Sequence, residues 1–159
     1  MHLRQLLSAA DHVSSLLALS NSSLYVLRVL RVHGILDESL QEVFRATLLA
    51  NITYAGPAWH GICSAGDIAK LESLVKRYRR LGYCGPDEPT VSEMFSDADD
   101  HLLNRVVNNP EHVLQPFLTE RPQTYNLRRR PHGSKTLFEK TISLNDQDFF
   151  IRTMYKHSY

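Results

Sequence analysis

Apolar residues recur at steps of three and four positions in the first part of the chain, the spacing that places side chains on one helix face. The pattern predicts a helix over residues 3–17, and it resumes at Leu24 after a polar tract at residues 20–23. That tract indicates either a mild kink or the N-cap of a second helix. Gly34 follows and is expected to end the segment, since glycine readily adopts the left-handed conformation of a helix C-terminus.

Two further helices are bounded by capping and breaking residues. Asp37 is expected to cap the first of them, which should end near Tyr54 because the Gly-Pro pair at residues 56–57 opposes continuation. A Ser-x-x-Asp sequence at residues 64–67 has the spacing of a capping box. It predicts a helix over residues 65–81, closed by the glycine that follows it.

The remaining chain predicts one long helix, an irregular stretch and a short final helix. A capping box at residues 90–93 opens the long helix, and the Asn-Asn-Pro sequence at residues 108–110 stops it. Residues 111–117 are expected to form a short helical turn. Residues 116–141, with three prolines, are expected to be extended and partly ordered. The Asn-Asp pair at residues 145–146 predicts the cap of a last helix.

These elements indicate a mainly α protein, because no stretch shows the strict alternation that is typical of strands. A chain of 159 residues is large enough for one or two small domains. The Gly- and Pro-rich linker at residues 85–89 divides it. We therefore predict a helical domain over residues 1–85, followed by a C-terminal helical segment and basic tail over residues 86–159.

The formal net charge of +1 conceals an uneven distribution of charge along the chain. Residues 1–85 carry nine Lys or Arg against six Asp or Glu, and residues 121–159 carry eight against three. Between them, residues 86–120 carry one cationic side chain against eight acidic ones. A polyanion is therefore expected to contact the two ends of the chain rather than its middle.

Cysteine content and hydropathy suggest an intracellular protein. Cys63 and Cys84 stand 21 positions apart without a second pair, which favours free thiols in a reducing compartment, either the nucleus or the cytoplasm. The chain has no run of 18 apolar residues, so no membrane contact is expected.

A cationic cluster at the end of the helix over residues 65–81 is the first candidate binding site. Its members are Lys70, Lys76, Arg77, Tyr78, Arg79 and Arg80. Cations near a helix C-terminus interact favourably with the helix dipole, but four cations in five residues exceed that role. From the residues alone two interpretations stay open, a solvated helix end and a contact with nucleic-acid phosphates, with Tyr78 as a ring able to stack on a sugar or base.

A second basic segment consists of Arg128, Arg129 and Arg130, with His132 and Lys135 nearby. It falls in the stretch predicted to be irregular, and basic arms of this kind often bind nucleic acid. Similar runs are also common on solvated surfaces. Both interpretations stay open for this segment.

Several short motifs together resemble one protein family, and their order along the chain is more specific than any one of them. They comprise a Tyr-Ala-x-Pro-x-Trp break, a helix that opens on small and acidic residues, a basic helix end and flanking segments. Their positions are residues 54–59, 65–72, 76–80, 81–83, 24–35, 109–114 and 148–156. This order resembles the region that follows the reverse-transcriptase palm in LINE-type (non-LTR, jockey-like) retrotransposon polyproteins.

The resemblance implies a C-terminal fragment of an RNA-directed DNA polymerase, with a helical bundle similar to a polymerase thumb. In the family, such helices bind the primer–template RNA/DNA duplex. The palm, with its catalytic aspartates and its Mg²⁺, and the endonuclease would lie upstream of Met1. The last residues look like the polyprotein's own C-terminus, and Met1 like an internal start or a truncation. This chain alone is therefore expected to be neither an enzyme nor a cofactor-binding protein.

The acidic sequence Asp97-Ala98-Asp99-Asp100 is similar in its residue types to the metal-binding turn of reverse transcriptases. That turn requires flanking strands so that its carboxylates converge on two metal ions. Here the apolar neighbours follow helical spacing, which predicts a solvated helix surface instead. His60 and Cys63 have the spacing of half a zinc site, but no second pair completes it. Trp59, beside them, is expected to pack in a corner between helices.

Two other functions remain open from the sequence. The acidic middle and the apolar helix faces would suit a small helical protein-interaction module. A host gene could also have reused the fragment as a nucleic-acid-binding accessory protein. If the palm is missing, the apolar face that it would cover should be exposed, and the isolated chain is then expected to self-associate.

Overall fold

The computed structural model describes residues 9–85, 87–118 and 148–156 of the chain. Across these residues the structure is mainly helical and has no strand, which confirms the predicted class. Contacts group the described residues up to Ser96 into one compact unit and those from Asp97 onward into a second. The domain boundary expected after residue 85 and the resemblance to a polymerase thumb stay predictions.

The first helix, α1, runs without interruption over Ala10–Val32. Its polar tract starts no second helix, because the hydroxyl groups of Ser20 and Ser23 donate to carbonyl oxygens of the preceding turn. Gly34 ends the segment with φ of 82°. The next N–H, that of Ile35, donates to the Leu30 carbonyl at 3.2 Å, the long hydrogen bond of a Schellman motif.

The second helical segment comprises α2 over Asp37–Phe44, a π-helical turn over Arg45–Leu49 and α3 over Ala50–Thr53. The helix ends beside Tyr54, as predicted. Ala55 makes the break, with φ of 50°, and the Gly-Pro pair starts the next helix rather than only stopping the last one. This helix, α4, covers Gly56–Trp59 and continues into a 3₁₀ turn over His60–Ile62, since proline is well tolerated in a first helical turn.

The helix that carries the whole basic cluster, α5, covers Ala65–Arg80. Its start confirms the predicted capping box. The N–H of Asp67 donates to Ser64 Oγ at 3.1 Å, and the N–H of Ser64 donates to the Asp67 carboxylate at 3.4 Å. Gly82, with φ of 77°, closes the helix. Both ends of α5 are therefore determined by residues within a few positions of them.

A second confirmed capping box starts α6, which covers Val91–Asn108. Glu93 accepts from the Thr90 N–H at 2.8 Å, and this bond lowers the pKa of Glu93. A 3₁₀ turn follows over Gln115–Phe117, and α7 covers Phe149–Lys156. The carboxylate of Asp148 accepts from two N–H groups of the first turn of α7 and caps it. The cap predicted at residues 145–146 lies outside the described residues.

Each compact unit has its own apolar core. The core of the first unit is built mainly from the inner faces of α1, α2, α5 and the start of α6, with Leu27, Leu40, Phe44, Leu71 and Tyr78 fully enclosed. The core of the second unit is smaller and centres on Val106, Leu118 and Met154. The basic helix α5 is thus supported on its inner side by the larger core.

By length and composition alone, α1 is apolar enough to cross a membrane. Its inner face, including Val13, Leu16, Leu24 and Leu27, belongs to the core of the first unit. The core helix of a globular domain passes the same test of length and composition. The expectation of no membrane contact stays a prediction.

Candidate nucleic-acid interface

The inner face of α5 anchors the candidate site. Leu71, Leu74, Val75 and Tyr78 are buried on this face. Successive helical residues are rotated by about 100°, so these side chains share one side of the helix. The opposite side is open to solvent.

The basic cluster divides between these two sides. On the outer side, five residues fall within an arc of about 120° that extends over roughly 15 Å of helix. We call this surface the basic arc, and its residues are Lys70, Ser73, Lys76, Arg77 and Arg80. All five are exposed. Four cations therefore follow one another along a single face of α5.

Most of the cationic groups of the basic arc are free to meet a ligand. Lys76 and Arg80 form no hydrogen bond or ion pair with any residue that the structure describes. Arg77 reaches the side-chain oxygen of Asn21, on α1, only at 3.5 Å. Lys70 pairs with Asp67 at 2.9 Å, but its side chain is 58% exposed. Only the Asp67 side of this pair is buried, at 8% exposure, so the exposed Lys70 can contact a phosphate while it stays beside Asp67.

Arg79 belongs to the protein framework rather than to the basic arc. One of its terminal nitrogens donates to the Glu88 carbonyl oxygen at 2.8 Å. Its Nε is buried and has no hydrogen-bond partner in the described part of the chain. Arg79 also lies beside Cys84, where burial raises the pKa of the thiol and the guanidinium opposes that rise. Its main role is therefore to hold the loop that follows α5.

The expectation that Tyr78 stacks on a nucleotide is wrong. The ring is fully buried, in contact with Phe44 at a centroid distance of 5.0 Å and with Tyr83 at 6.3 Å. Burial raises the pKa of its phenol to about 12. The reason is helical geometry, since Tyr78 follows Leu71, Leu74 and Val75 at spacings that place it on the inner face.

A shallow hollow marks the C-terminal half of the basic arc. It has a volume of about 470 Å³ and is lined by Ser73, Lys76, Arg79 and Arg80. Within this lining, the Ser73 hydroxyl and the cations of Lys76 and Arg80 can bind an anionic oxygen cluster such as a phosphate, while Arg79 stays bonded to Glu88. The sequence analysis did not include Ser73 in the site. Ser73 stands three residues before Lys76 and four before Arg77, however, and this spacing places the three side chains on one helix face.

The acidic sequence at residues 97–100 lies inside α6, as predicted, but it is not uniformly solvated. Asp99 is buried and forms a two-pronged ion pair with Arg152, at 2.6 and 2.9 Å. Asp100 pairs with Lys156 at 2.5 Å. The expectation of a solvated surface is therefore wrong for Asp99, because α7 supplies a cation that the local sequence pattern does not reveal.

The aromatic corner at Trp59 is packed, as predicted. The Trp59 indole N–H donates to the Tyr54 carbonyl oxygen at 2.9 Å, and its ring meets Phe95 edge-on at 5.1 Å. His60 stacks on the same Phe95 ring. Burial raises the pKa of Cys63 to about 11. Within residues 9–85, 87–118 and 148–156, no group of three or more His, Cys, Asp or Glu side chains could hold a metal ion.

The second predicted basic segment, Arg128, Arg129 and Arg130, lies outside the described residues. Comparison of the chain with protein-family models, with curated proteins and with solved structures gives no match. The candidate interface therefore rests on the arrangement of the described residues, and above all on the basic arc.

Proposed function

We propose that this chain binds the sugar–phosphate backbone of a nucleic-acid duplex through the basic arc of α5. The observation that supports this most directly is the division of α5 into a buried apolar face and an opposite face with four cations. A helix end needs fewer cations than this for its dipole. Phosphates recur along a duplex, so a line of cations on a rigid helix can neutralise several of them at once.

In the reading that the sequence resemblance favours, the chain is the C-terminal part of a LINE-type, jockey-like retrotransposon reverse transcriptase. Its helices would act as a thumb on the primer–template RNA/DNA duplex. The palm of the same polyprotein would be its partner and would supply Mg²⁺ and the polymerase chemistry. Under this proposal the chain holds a duplex but does not extend a primer. Arg128, Arg129 and Arg130 are proposed as a second contact.

A small protein-interaction module is the second candidate. The observation in its favour is the exposure of several large apolar side chains on α1, among them Tyr25, Val26 and Val32. Exposed apolar patches often mark contact surfaces. A nucleic-acid-binding accessory protein derived from the same element would use the basic arc in the same way as a thumb, so binding alone does not separate those two origins.

Salt-titrated binding to a short RNA–DNA hybrid tests the proposal. Fluorescence anisotropy of a labelled hybrid should report binding at about 50 mM salt and a fall of orders of magnitude by about 200 mM, because contacts to phosphates release counterions. A DNA duplex of the same length serves as the comparison. Absence of binding to either duplex at low salt would refute both nucleic-acid readings and leave the protein-interaction module.

A further inference from the structure

A groove lies between α1 and α5, along the edge of the basic arc. It has a volume of about 490 Å³, and both of its helices belong to the first compact unit. The residues that matter below are Gly66, Lys70, Ser73 and Arg77 on α5, with Leu17 and Asn21 on α1. We call it the α1–α5 groove. It joins part of the basic arc to a helix that the sequence did not include in the site.

We propose that the α1–α5 groove binds the ribose of an RNA strand, and that Asn21 and Ser73 distinguish RNA from DNA through hydrogen bonds to its 2′-hydroxyl group. This inference rests on the proposed binding of a duplex by the basic arc. It adds which sugar the site selects and which uncharged residues select it.

The order of charged and neutral residues along the groove matches the order of groups along a nucleic-acid strand. Lys70, Ser73 and Arg77 follow one another at steps of three and four positions, on one face of α5. The two cations are about 10 Å apart along the helix axis, with Ser73 between them. Cations at both ends suit phosphates of one strand. Because a sugar always lies between two phosphates, such a strand brings a sugar beside Ser73.

The two neutral side chains of the groove have hydrogen-bonding capacity to spare. Ser73 is exposed, and its hydroxyl group forms no hydrogen bond with the residues that the structure describes. Asn21 is also exposed, and its side chain meets only Arg77, whose Nη1 lies 3.5 Å from Asn21 Oδ1. A phosphate oxygen can only accept, whereas a hydroxyl group and an amide both donate and accept. This pair therefore suits the 2′-hydroxyl of a ribose, which also does both.

The lining of the groove allows a sugar to approach closely. Gly66 and Ala69 keep the α5 side low, and Leu17 with the buried Leu74 adds apolar surface. Apolar lining with a few polar groups is typical of binding grooves. An A-form duplex displays its 2′-hydroxyls in a wide, shallow minor groove. A surface formed by two adjacent helices can reach them there without opening the duplex.

Three labelled duplexes of one sequence test which group is recognised. They are an RNA–DNA hybrid, a DNA duplex, and a hybrid whose RNA strand is methylated at every 2′-oxygen. Fluorescence anisotropy should show that the wild-type chain binds the first about five- to tenfold more tightly than the other two, since these lack the 2′-OH donor. The methylated strand keeps the A-form shape, so it separates recognition of the hydroxyl group from recognition of duplex shape.

A double variant tests the residues. Asn21→Ala/Ser73→Ala should bind the RNA–DNA hybrid only as tightly as the DNA duplex. Its affinity for the DNA duplex and both salt slopes should stay at wild-type values, because neither removed side chain carries a charge. Ser22→Ala/Asn104→Ala is the matched control, since both residues are exposed and neither lines the groove. It should keep the wild-type preference, and circular dichroism should show the same helix content in both variants.

The outcomes separate this inference from the proposed function. Equal affinity of the wild-type chain for the hybrid and the DNA duplex would overturn the inference and leave duplex binding intact. Tight binding of the methylated hybrid would overturn it in favour of shape recognition. Equal losses on both duplexes in Asn21→Ala/Ser73→Ala would also overturn it, because the groove would then contact phosphates. Absence of binding to all three duplexes would refute the proposed function itself.

Discussion

The hydroxyl group of Tyr78 donates a hydrogen bond of 2.5 Å to the backbone carbonyl oxygen of Ser20, which lies 58 positions earlier in the chain. Both residues are buried. The bond joins α5 to the middle of α1 and fixes which side of α5 faces inward. This contact sets the direction in which the basic arc points. Tyr78, predicted from the sequence to contact the ligand, therefore positions the helix that is proposed to bind it.

Tyr78→Phe should therefore weaken the fold and leave duplex binding intact. The variant loses one buried hydrogen bond but keeps the ring, so the free energy of unfolding should fall by about 1 kcal/mol. Urea unfolding measures this change, and anisotropy with the RNA–DNA hybrid measures binding at a temperature where both proteins are folded. A large loss of affinity in the folded variant would restore a direct role for Tyr78.

Arg79 and Arg80 are neighbours in the sequence with different predicted roles. Arg79→Ala removes the hydrogen bond to the Glu88 carbonyl oxygen and should lower the free energy of unfolding by about 1–2 kcal/mol. Arg80→Ala removes an exposed side chain and should change it by less than about 0.5 kcal/mol. Affinity for the hybrid should nevertheless fall in Arg80→Ala. Equal stability losses in both variants would contradict this division.

The ion pair of Asp99 and Arg152 should be a large contributor to the second unit. Their side chains are only 5% and 16% exposed, so Asp99→Asn, which removes a buried carboxylate from beside the Arg152 guanidinium, should cost about 3 kcal/mol. Asp99→Leu combined with Arg152→Met should cost less than the single change, because both charges are then replaced by apolar side chains. Asp100→Asn is the control, since its pair with Lys156 is more exposed and should contribute under about 1 kcal/mol.

Asp67 predicts a pH dependence of stability. Hydrogen bonds from the Ser64 hydroxyl and the Lys70 ammonium lower the pKa of this carboxyl in the folded chain. A lowered folded-state pKa stabilises the fold above the unfolded value of about 4, and the contribution disappears as pH falls through the folded value. Asp67→Asn should thus be less stable than wild type at neutral pH, with a difference that shrinks in acid.

Thermal unfolding from pH 7 down to about pH 3 measures this change. Asp97→Asn is the matched control, because Asp97 is exposed and forms no hydrogen bond with the described residues; its difference from wild type should stay small throughout. A constant gap between wild type and Asp67→Asn across this pH range would show that the ionised carboxylate does not stabilise the start of α5.

Helix boundaries could be predicted from the sequence where the signals are local. The capping boxes at residues 64–67 and 90–93 and the closing glycines Gly34 and Gly82 act over a few positions, and each was confirmed. The polar tract at residues 20–23 did not decide between one helix and two. Serine can cap a new helix, and it can also lie inside a helix and donate to a backbone carbonyl oxygen of the preceding turn. Only the rest of the fold decides between these uses.

The candidate site was only partly predictable. The sequence predicted a single binding site for the whole cationic cluster. Helical geometry instead divides the cluster into the basic arc, the framework residue Arg79 and the buried Tyr78. For Tyr78, its helical spacing from the apolar residues Leu71, Leu74 and Val75 was enough to predict that it is buried. The partners of Arg79 and Asp99 depend on the folded chain, and that of Asp99 is Arg152, 53 positions away. Only the three-dimensional arrangement brings such residues together.

The salt dependence of duplex binding tests the central claim most directly. Each phosphate contact contributes about 0.9 to the slope of log affinity against log salt concentration. The variant Lys76→Ala/Arg77→Ala/Arg80→Ala should therefore bind the RNA–DNA hybrid with a slope smaller in magnitude by about 2 to 3 than wild type. Arg105→Ala, an exposed cation of α6, is the control and should leave the slope unchanged. A triple variant with the wild-type slope would contradict the assignment of phosphate contacts to the basic arc.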